Sequence, residues 1–266
     1  MTRTIRLRLA YEGTQYSGWQ LQPGQATVQG TLAEAIRAVS GEEIRPRGSS
    51  RTDAGVHALA QEVSFDTSSA LGAGTWVRAL NARLPSDITV LAGEEAPPGF
   101  DPMWAAVSKT YRYRIHDAPW RPVLARHLVW RRKSRLDAGL MQTAATALVG
   151  EHDFTSFETT PSSRLSKVRT IHRLDIFRRR NGDDLSDAEV WVEVEGNGFL
   201  HNMVRIIVGS LVLVGCGRRQ PGWMAEALAA RDRPAAGPTA PPQGLVLLSI
   251  TLDPSRLRPA PAATTS

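Results

Sequence analysis

Residues 49–65 read SSRTDAGVHALAQEVSF, and one carboxylate in them stands just ahead of a turn. Asp53 follows Arg51 and Thr52, and an alternating apolar run typical of a half-buried β-strand comes after it. Thr52 or Asp53 could simply cap a local turn, because both side chains can accept a backbone N–H. The stretch therefore predicts a loop that runs into a strand, with either a structural or a chemical role for its acid.

Length and composition define the class of protein. The 266 residues suit one large domain or two modest ones, and 42% hydrophobic with 22% charged residues is ordinary for a globular protein. The N-terminal residues alternate charged and apolar side chains, which predicts a strand and argues against a signal peptide. The apolar run at 199–215 contains His201, Asn202 and Arg205 and is short for a membrane span, so we expect no membrane segment. The single cysteine, Cys216, excludes an internal disulfide and indicates a reducing, cytoplasmic location.

The basic residues are unevenly distributed. Net charge is +6, and only three of the 32 basic residues are lysines. They form two runs, one at Arg126, Arg131, Arg132, Lys133 and Arg135, the other at Arg164, Lys167, Arg169, Arg173, Arg178, Arg179 and Arg180. The planar guanidinium suits phosphates and stacks on bases, so the runs indicate RNA binding. They are equally well explained as solvated faces.

Hydrophobic periodicity predicts two similar halves. The first contains strands at 4–11, 61–67 and 88–94 and helices at 26–40 and 76–84. The second contains strands at 108–116 and 245–252, a hairpin at 172–179 and 188–196, and helices at 136–149, 200–214 and 223–230. We expect an α+β fold with helices backing a largely antiparallel mixed sheet. The predicted division is 1–102 and 103–253, and the tail at 254–266 is predicted to be disordered.

Several kinds of catalytic site are missing from the sequence. There is no GxSxG, no phosphate loop and no paired spacing of histidines that would indicate a metal site. Arg205 is unusual, because it lies within an apolar helical segment. A buried guanidinium needs a carboxylate partner, and the alternative is that Arg205 faces an open cleft.

Seven segments together resemble the tRNA pseudouridine synthase A family. The central one is SRTDAGVHALAQ at 50–61. The others are YEGTQYSGWQ (11–20), VQGTLAEAI (28–36), LNARLPSDI (80–88), SKTYRYRI (108–115), GEHDFTSF (150–157) and GFLHNMVRIIVGSLVLVG (198–215). They occur in family order over residues 6–253, so the resemblance covers nearly the whole chain.

The resemblance implies a fold and an activity. It implies the pseudouridine synthase fold, two related α+β halves with a central active-site cleft. It also implies isomerisation of uridine to pseudouridine at positions 38, 39 and 40 of the tRNA anticodon stem-loop, without cofactor or metal. The family is a homodimer, and its tRNA lies across both subunits. The same chemistry at another RNA position and a catalytically silent RNA-binding protein are the alternatives.

The resemblance also implies roles for individual residues. Asp53 matches the nucleophile, which attacks either the sugar or carbon 6 of the base. Arg51 matches the residue that fills the space left by the flipped base. Tyr111 matches the tyrosine that packs on the uracil, and Arg205 the arginine that pairs with the aspartate and keeps it ionised. Leu245 matches an apolar residue beside the uracil.

Other predictions are weaker. His57 is predicted to hydrogen-bond the substrate or to satisfy the turn, and Arg131, Arg132 and Lys133 to contact RNA. Tyr11, Gly13, Gly18 and Trp19 are predicted to shape a loop near the substrate. Three positions depart from the family pattern: Ser50 replaces a usual glycine, and Asp101 and Met103 replace the more common residues of that segment.

Overall fold

The computed structural model describes residues 2–159, 166–179, 188–253 and 255–256. The predicted tail at 254–266 and the arginines Arg164 and Arg180 therefore lie largely or wholly outside the described residues. The backbone forms two units, Met1–Val107 with Ile250–Ser266, and Ser108–Ser249. The expected division at 102/103 gave the whole final strand to the second half. Its last residues belong to the first unit, where the Asp253 N–H donates to the Ala105 carbonyl at 2.8 Å.

The first unit is built on an antiparallel sheet. Its strands are β1 (Arg3–Tyr11), β2 (Arg47–Gly48), β3 (His57–Thr67) and β4 (Ile88–Ala96). They lie in the order β4-β1-β3, with β2 paired to β3. Strand β3 begins four residues before its predicted start at 61, because the backbone pairing with β1 continues until Ala58 meets Tyr11. This extension brings β3 directly up to the loop that contains Asp53.

The helices of the first unit are α1 (Val28–Ser40), α2 (Ala73–Asn81) and the single turn α3 (Pro102–Ala105). Helix α1 begins at 28, two residues after the predicted start, because the Thr27 hydroxyl caps it by accepting from the Gly30 N–H at 3.2 Å. Helix α2 ends at Asn81, before the predicted 84. The Asn81 side chain both donates to and accepts from the backbone of Val90, at 2.9 and 2.8 Å, which fixes the end of the helix against β4.

The second unit has a larger sheet. Its strands are β5 (Ala106–His116), β6 (Trp130–Arg131), β7 (Gly150–Asp153), β8 (Val168–Arg178), β9 (Glu189–Gly196) and β10 (Leu245–Leu252). They lie in the order β10-β5-β9-β8-β7, and β6 runs parallel to β5. The pairs β5–β9, β9–β8 and β8–β7 are antiparallel. This arrangement confirms the predicted α+β class with a mixed, largely antiparallel sheet. The hairpin is confirmed as β8–β9, while the short strands β2, β6 and β7 and the turn α3 were not predicted.

The helices of the second unit are α4 (Ala138–Ala145), α5 (Met203–Gly215) and α6 (Trp223–Ala230). Helix α4 begins after the predicted start at 136, because Asp137 caps it by accepting from the Leu140 N–H at 2.9 Å. Helix α5 begins after the predicted start at 200, because Asn202 adopts a left-handed conformation with φ 61°. With 13 residues α5 is too short to cross a bilayer, and no other helix in the described ranges is a candidate span.

One face of the β5–β9 pair carries an ion-pair ladder. Val190, Val192 and Val194 of β9 are buried, so the residues that alternate with them project from the opposite face: Glu189, Trp191, Glu193 and Glu195. The Arg112 guanidinium donates to Glu193 at 2.8 Å, and that of Arg114 donates to Glu189 at 2.8 and 3.0 Å. Such cross-strand pairs stabilise the sheet and fix its register.

We expect Glu189→Gln to destabilise the protein at neutral pH and to have less effect in acid. Burial alone would raise the pKa of Glu189, but hydrogen bonds from Arg114 and Trp191 outweigh it, so the pKa falls below its ordinary 4.5. A depressed carboxyl pKa contributes stability above the unfolded-state value and loses it as the pH falls through the folded-state value. The expected loss is about 1.5–3 kcal/mol at pH 7.

Urea denaturation of both proteins at several pH values measures this effect. The difference in unfolding free energy should shrink between about pH 5 and about pH 3. The exposed residue Glu34 provides the control substitution, Glu34→Gln, with little expected effect. An equal loss at every pH would mean that the charge of Glu189 contributes nothing.

Candidate active site

The loop that contains Asp53 lies in the first unit, between β2 and β3. Its backbone is tied to the segment at 13–19, which follows β1. The Trp19 N–H donates to the Thr52 carbonyl at 3.0 Å, and the Gly55 N–H donates to the Tyr16 carbonyl at 3.2 Å. These two bonds flank Asp53 on either side, so its position is set by a neighbouring segment as well as by its own turn.

Two glycines allow this close approach. Gly18 has a left-handed φ of +91°, and a Cβ added there would lie 2.6 Å from the Thr52 carbonyl oxygen. A Cβ on Gly13 would overlap the Val56 carbonyl oxygen. The segment at 13–19 is therefore the template against which the Asp53 loop is shaped.

We expect Gly18→Ala to displace the Asp53 loop and to lower kcat by on the order of 10²-fold, because small misplacements of a reacting group are costly. Gly24→Ala is the matched control. Gly24 also has a positive φ, of +72°, but an added Cβ meets nothing within 4 Å. Both variants should lose about 1–2 kcal/mol from backbone strain, measured by thermal denaturation. Only Gly18→Ala should lose activity, and equal kcat for both would contradict the template role.

Tyr16 links the segment at 13–19 to the residue that directly precedes β4. Its hydroxyl donates to the Asp87 carboxylate at 2.8 Å, and its side chain is buried. Burial, followed by the hydrogen bond to Asp87, raises the pKa of Tyr16, so the hydroxyl stays protonated and able to donate. On the other side, the Tyr11 hydroxyl lies 2.8 Å from the Thr52 hydroxyl, and the Tyr11 ring stacks on Trp19 at 6.4 Å between centroids.

Ser50 fits the loop without strain. Among the described non-glycine residues only Asn202 and Arg231 have a positive φ, so Ser50 needs no glycine-like backbone. The buried Gln61 accepts from the Ser50 N–H at 3.1 Å and donates to its carbonyl at 2.5 Å. Gln61 was not singled out from the sequence. Its signal was a polar side chain within the apolar β3.

Asp53 and Arg51 differ in exposure. Asp53 is half-buried, and its carbonyl accepts from the Val56 N–H at 3.1 Å to close the turn at Gly55, where φ is +76°. Arg51 is exposed, and within the described ranges no carboxylate lies within 4 Å of its guanidinium. The arrangement offers a carboxylate on a fixed backbone next to a planar cation that is able to stack.

His57 has a structural contact. Its side chain is 5% exposed, and Nδ1 accepts from the Gly13 N–H at 3.0 Å. This contact favours the interpretation that His57 satisfies the turn, and substrate binding by His57 stays a prediction. Asp101 is likewise structural, because its carboxylate caps α3 by accepting from the Met103 N–H at 2.9 Å, whereas the Met103 side chain is exposed.

Tyr111 lies in the second unit, on β5 opposite Val194. Its side chain is 7% exposed, and its ring meets Phe199 edge-on at 5.3 Å between centroids. Tyr113, two residues on, shares that face and donates to the Pro241 carbonyl at 2.6 Å. Burial raises the pKa of Tyr113, although the nearby charge of Arg205 opposes the shift. The aromatic repeat thus places one tyrosine in the core and the other beside Phe199.

Arg205 lies in the first turn of α5 and is half-buried. Its Nε donates to the Ala240 carbonyl at 2.8 Å, and Nη1 donates to the Asn202 side chain at 2.6 Å. These neutral acceptors hold the guanidinium plane in one orientation. Leu245 begins β10 and is 5% exposed, directly after Gly244, where a Cβ would lie 2.5 Å from the Tyr113 ring.

The predicted RNA-contacting residues occupy different environments. The Arg131 guanidinium donates to the Pro119 carbonyl at 2.9 Å, and that of Arg132 lies 5.1 Å from the Trp130 ring centroid. Lys133 is exposed. In the second basic run, ion pairs join Lys167 to Glu158, Arg173 to Asp175 and Arg178 to Asp117. Those three residues have structural partners, which the run of charge alone does not reveal.

The structure thus assigns the candidate residues to the two units. Arg51, Asp53 and His57 lie in the first, and Tyr111, Arg205 and Leu245 in the second. Within the described ranges, no group of three His, Cys, Asp or Glu side chains is arranged to hold a metal ion.

Comparison with known sequences gives a consistent result. The profile of a tRNA pseudouridine synthase family matches residues 9–102 and 144–253. The tRNA pseudouridine synthase A of Brevibacillus brevis is 45% identical over 248 residues, which cover 93% of this chain and 99% of that protein. The enzyme of the same name from Geobacillus kaustophilus is 43% identical, covering 93% of each chain. That of Geobacter sulfurreducens is 42% identical, covering 93% of this chain and 99% of that one.

Solved structures give more distant matches. The crystal structure of the archaeal box H/ACA sRNP Nop10–Cbf5 complex aligns with 87% of this chain, at a TM-score of 0.35 and 11% identity. The chain spans 59% of the matched chain of that structure.

Proposed function

The chain belongs to the tRNA pseudouridine synthase family, and from this premise we propose that it isomerises uridine to pseudouridine at positions 38, 39 and 40 of the tRNA anticodon stem-loop. The observation that carries the proposal is the Arg51-Thr52-Asp53 loop, held on both sides of Asp53 by the segment at 13–19. A carboxylate on so fixed a backbone is suited to attack, because the reacting geometry is prepared before the substrate binds.

The reaction exchanges one glycosidic bond for another. The C1′–N1 bond breaks, the uracil turns and a C1′–C5 bond forms. The hydrogen on C5 leaves as a proton and N1 takes up a proton, so the product is an isomer of uridine. Asp53 is the proposed nucleophile, holding one fragment covalently during the turn, on the sugar or on carbon 6 of the base. We assign no cofactor and no metal to these steps.

The target base is stacked in the stem-loop, so it has to leave the stack before attack. Arg51 is exposed beside Asp53, and its flat guanidinium is suited to fill the space the base leaves. Tyr111 presents an aromatic face for the flipped uracil and is the proposed residue for handling the C5 proton, with its ring position set by Phe199.

Arg205 and Leu245 complete the proposed set. The guanidinium of Arg205, oriented by Ala240 and Asn202, is proposed to stabilise the carboxylate of Asp53 in its charged form. Leu245 is proposed to pack beside the uracil. A homodimer and a cytoplasmic location also belong to this proposal. The first comes from the family resemblance, and the second from the single cysteine.

Two other functions have different signatures. A synthase with another RNA target would modify different uridines. A silent RNA-binding protein would form no pseudouridine at all, and the presence of Asp53, Tyr111 and Arg205 favours catalysis, because binding alone needs no nucleophile.

Mapping of pseudouridine in unmodified tRNA transcripts tests the proposal. Three transcripts are used, each with uridine at only one of positions 38, 39 and 40. Each should gain one pseudouridine, at that position. A fourth transcript with cytidine at all three positions should gain none. Modification of all four transcripts at a uridine outside positions 38–40 would support the alternative target, and no modification of any transcript would support the silent binding protein.

A further inference from the structure

A cleft of about 680 Å³ lies in the second unit and is lined by four arginines, Arg132, Arg135, Arg178 and Arg218. Four pieces of the fold form it: the chain following β6, the start of α4, the last residue of β8, and the end of α5 with the residues that follow it. The Asp137 N–H donates to the Gly215 carbonyl at 2.8 Å, which joins the start of α4 to the end of α5. The cleft is large enough for a ligand of several polar groups.

One residue that lines the cleft, Arg178, is held by a buried carboxylate. The Asp117 side chain has no exposure, and Arg178 donates to both of its oxygens at 2.8 Å. The Leu136 N–H adds a further bond to Asp117 at 2.8 Å. This two-pronged pair neutralises Arg178 and holds the surrounding backbone in place.

The remaining charges of the cleft are mainly positive. Asp137, the one carboxylate among the lining residues, is engaged in capping α4. Arg132 and Arg218 have no carboxylate within 4 Å in the part of the chain that the structure describes. The buried Nε of Arg132 likewise has no hydrogen-bond acceptor among the described residues.

Arg132 is also held in position. Its backbone N–H donates to the His116 carbonyl at 2.7 Å, and its guanidinium lies over the Trp130 ring. A guanidinium with an ordered stem and unused donors binds an anion at a lower entropic cost than a free surface arginine. The neighbouring Arg131 differs, because backbone carbonyls already accept from its guanidinium.

We propose that this cleft binds phosphate groups of the RNA backbone, with Arg132 and Arg218 as the residues that contact them. The identity of the RNA as tRNA rests on the proposed function. Neither arginine takes part in the proposed isomerisation, so the cleft contributes to affinity for tRNA and leaves the chemical step unchanged. Within the basic run at 131–133, the contact is assigned to Arg132.

The test is tRNA binding as a function of KCl concentration, using the full-length protein and an unmodified tRNA transcript. The slope of log K against log salt is negative, and removing one arginine–phosphate contact reduces its magnitude by about 0.7–0.9. R132Q/R218Q should therefore lose about 1–2 units of slope and bind about 5–30-fold more weakly at 100 mM salt. R132K/R218K, which keeps both charges, should retain the slope.

R45Q/R121Q is the matched control, since it removes the same formal charge from two exposed arginines outside the cleft and outside both basic runs. Its slope should stay that of the unaltered protein. The proposal is overturned if R132Q/R218Q binds like the unaltered protein, if the control pair loses as much, or if the lysine pair is as weak as the glutamine pair.

Activity separates this inference from the proposed function. With R132Q/R218Q, KM for tRNA should rise while kcat at saturating tRNA stays within about twofold. If the variants differ in salt slope as expected but the unaltered protein forms no pseudouridine, the phosphate-binding role of the cleft stands and the proposed function is wrong. If the unaltered protein forms pseudouridine but R132Q/R218Q has the same salt slope, the proposed function stands and the role of the cleft is wrong.

Discussion

Asp53→Asn is expected to reduce pseudouridine formation by on the order of 10⁴-fold or more, because an amide cannot replace a carboxylate nucleophile. The substitution keeps the size of the side chain, and the loop is held through backbone bonds at Thr52 and Gly55. The variant should therefore fold and bind tRNA with an affinity close to that of the unaltered protein. Single-turnover assays with protein in excess over tRNA measure the chemical step separately from binding.

Asp232→Asn is the matched control, since Asp232 is exposed and lies outside the proposed site. It should leave the rate unchanged. A folded Asp53→Asn protein that retains substantial turnover would remove Asp53 from the role of nucleophile. We expect the melting temperature of Asp53→Asn to stay well above the assay temperature. A variant that is unfolded under assay conditions would show that its lost turnover comes from unfolding.

Arg205→Met is expected to lower kcat by about 10²–10³-fold, the usual effect of removing one preorganised donor from a catalytic site. It should also cost about 1–3 kcal/mol of stability, because the Ala240 carbonyl loses its side-chain donor. Arg205→Lys keeps the charge but not the planar fork, so it should preserve folding better than activity. Steady-state kinetics and urea denaturation measure the two effects.

Arg233→Met controls for the loss of a half-buried arginine in the same unit. Arg233 donates to the Ala236 carbonyl at 3.5 Å and to the Thr239 hydroxyl at 3.4 Å, and it has no proposed role. The Arg233→Met protein should be less stable than the unaltered protein, with the same kcat. A double-mutant cycle of Arg205→Met with Asp53→Asn on stability should give a coupling of about 0.5–3 kcal/mol if the two residues act together. Additive losses, with Arg205→Met still active, would assign Arg205 to another task.

The sequence predicted most of the fold, because the dominant signals were local. The hairpin strand predicted at 188–196 is close to the observed β9, and the helix at 223–230 was predicted with the bounds it has. Helix ends were less accurate, because they depend on single contacts. Asn81 ends α2 through Val90, and the left-handed Asn202 delays α5. Short strands such as β6 exist only through pairing with a distant strand and have no local pattern.

The candidate site was predicted in part. The motif at 51–53 and its resemblance to the family identified Asp53, and Gly18 was predicted to shape a loop near the substrate. The support from Gln61 and Tyr16 became apparent only from contacts across 11 residues of chain to Ser50 and 39 to Gly55. The cleft between β6, α4 and α5 had no sequence signature beyond a run of charge. Which arginines of that run have partners is decided by buried acids such as Asp117, far away in sequence.

Release of tritium from tRNA labelled at carbon 5 of its uridines measures whether the protein makes pseudouridine through Asp53. Isomerisation has to expel this hydrogen, and binding cannot. We expect the unaltered protein to release tritium in proportion to the pseudouridine formed. Asp53→Asn should release none, although both proteins bind the labelled tRNA. No release from an unaltered protein that binds the tRNA, or equal release from Asp53→Asn, would contradict this expectation.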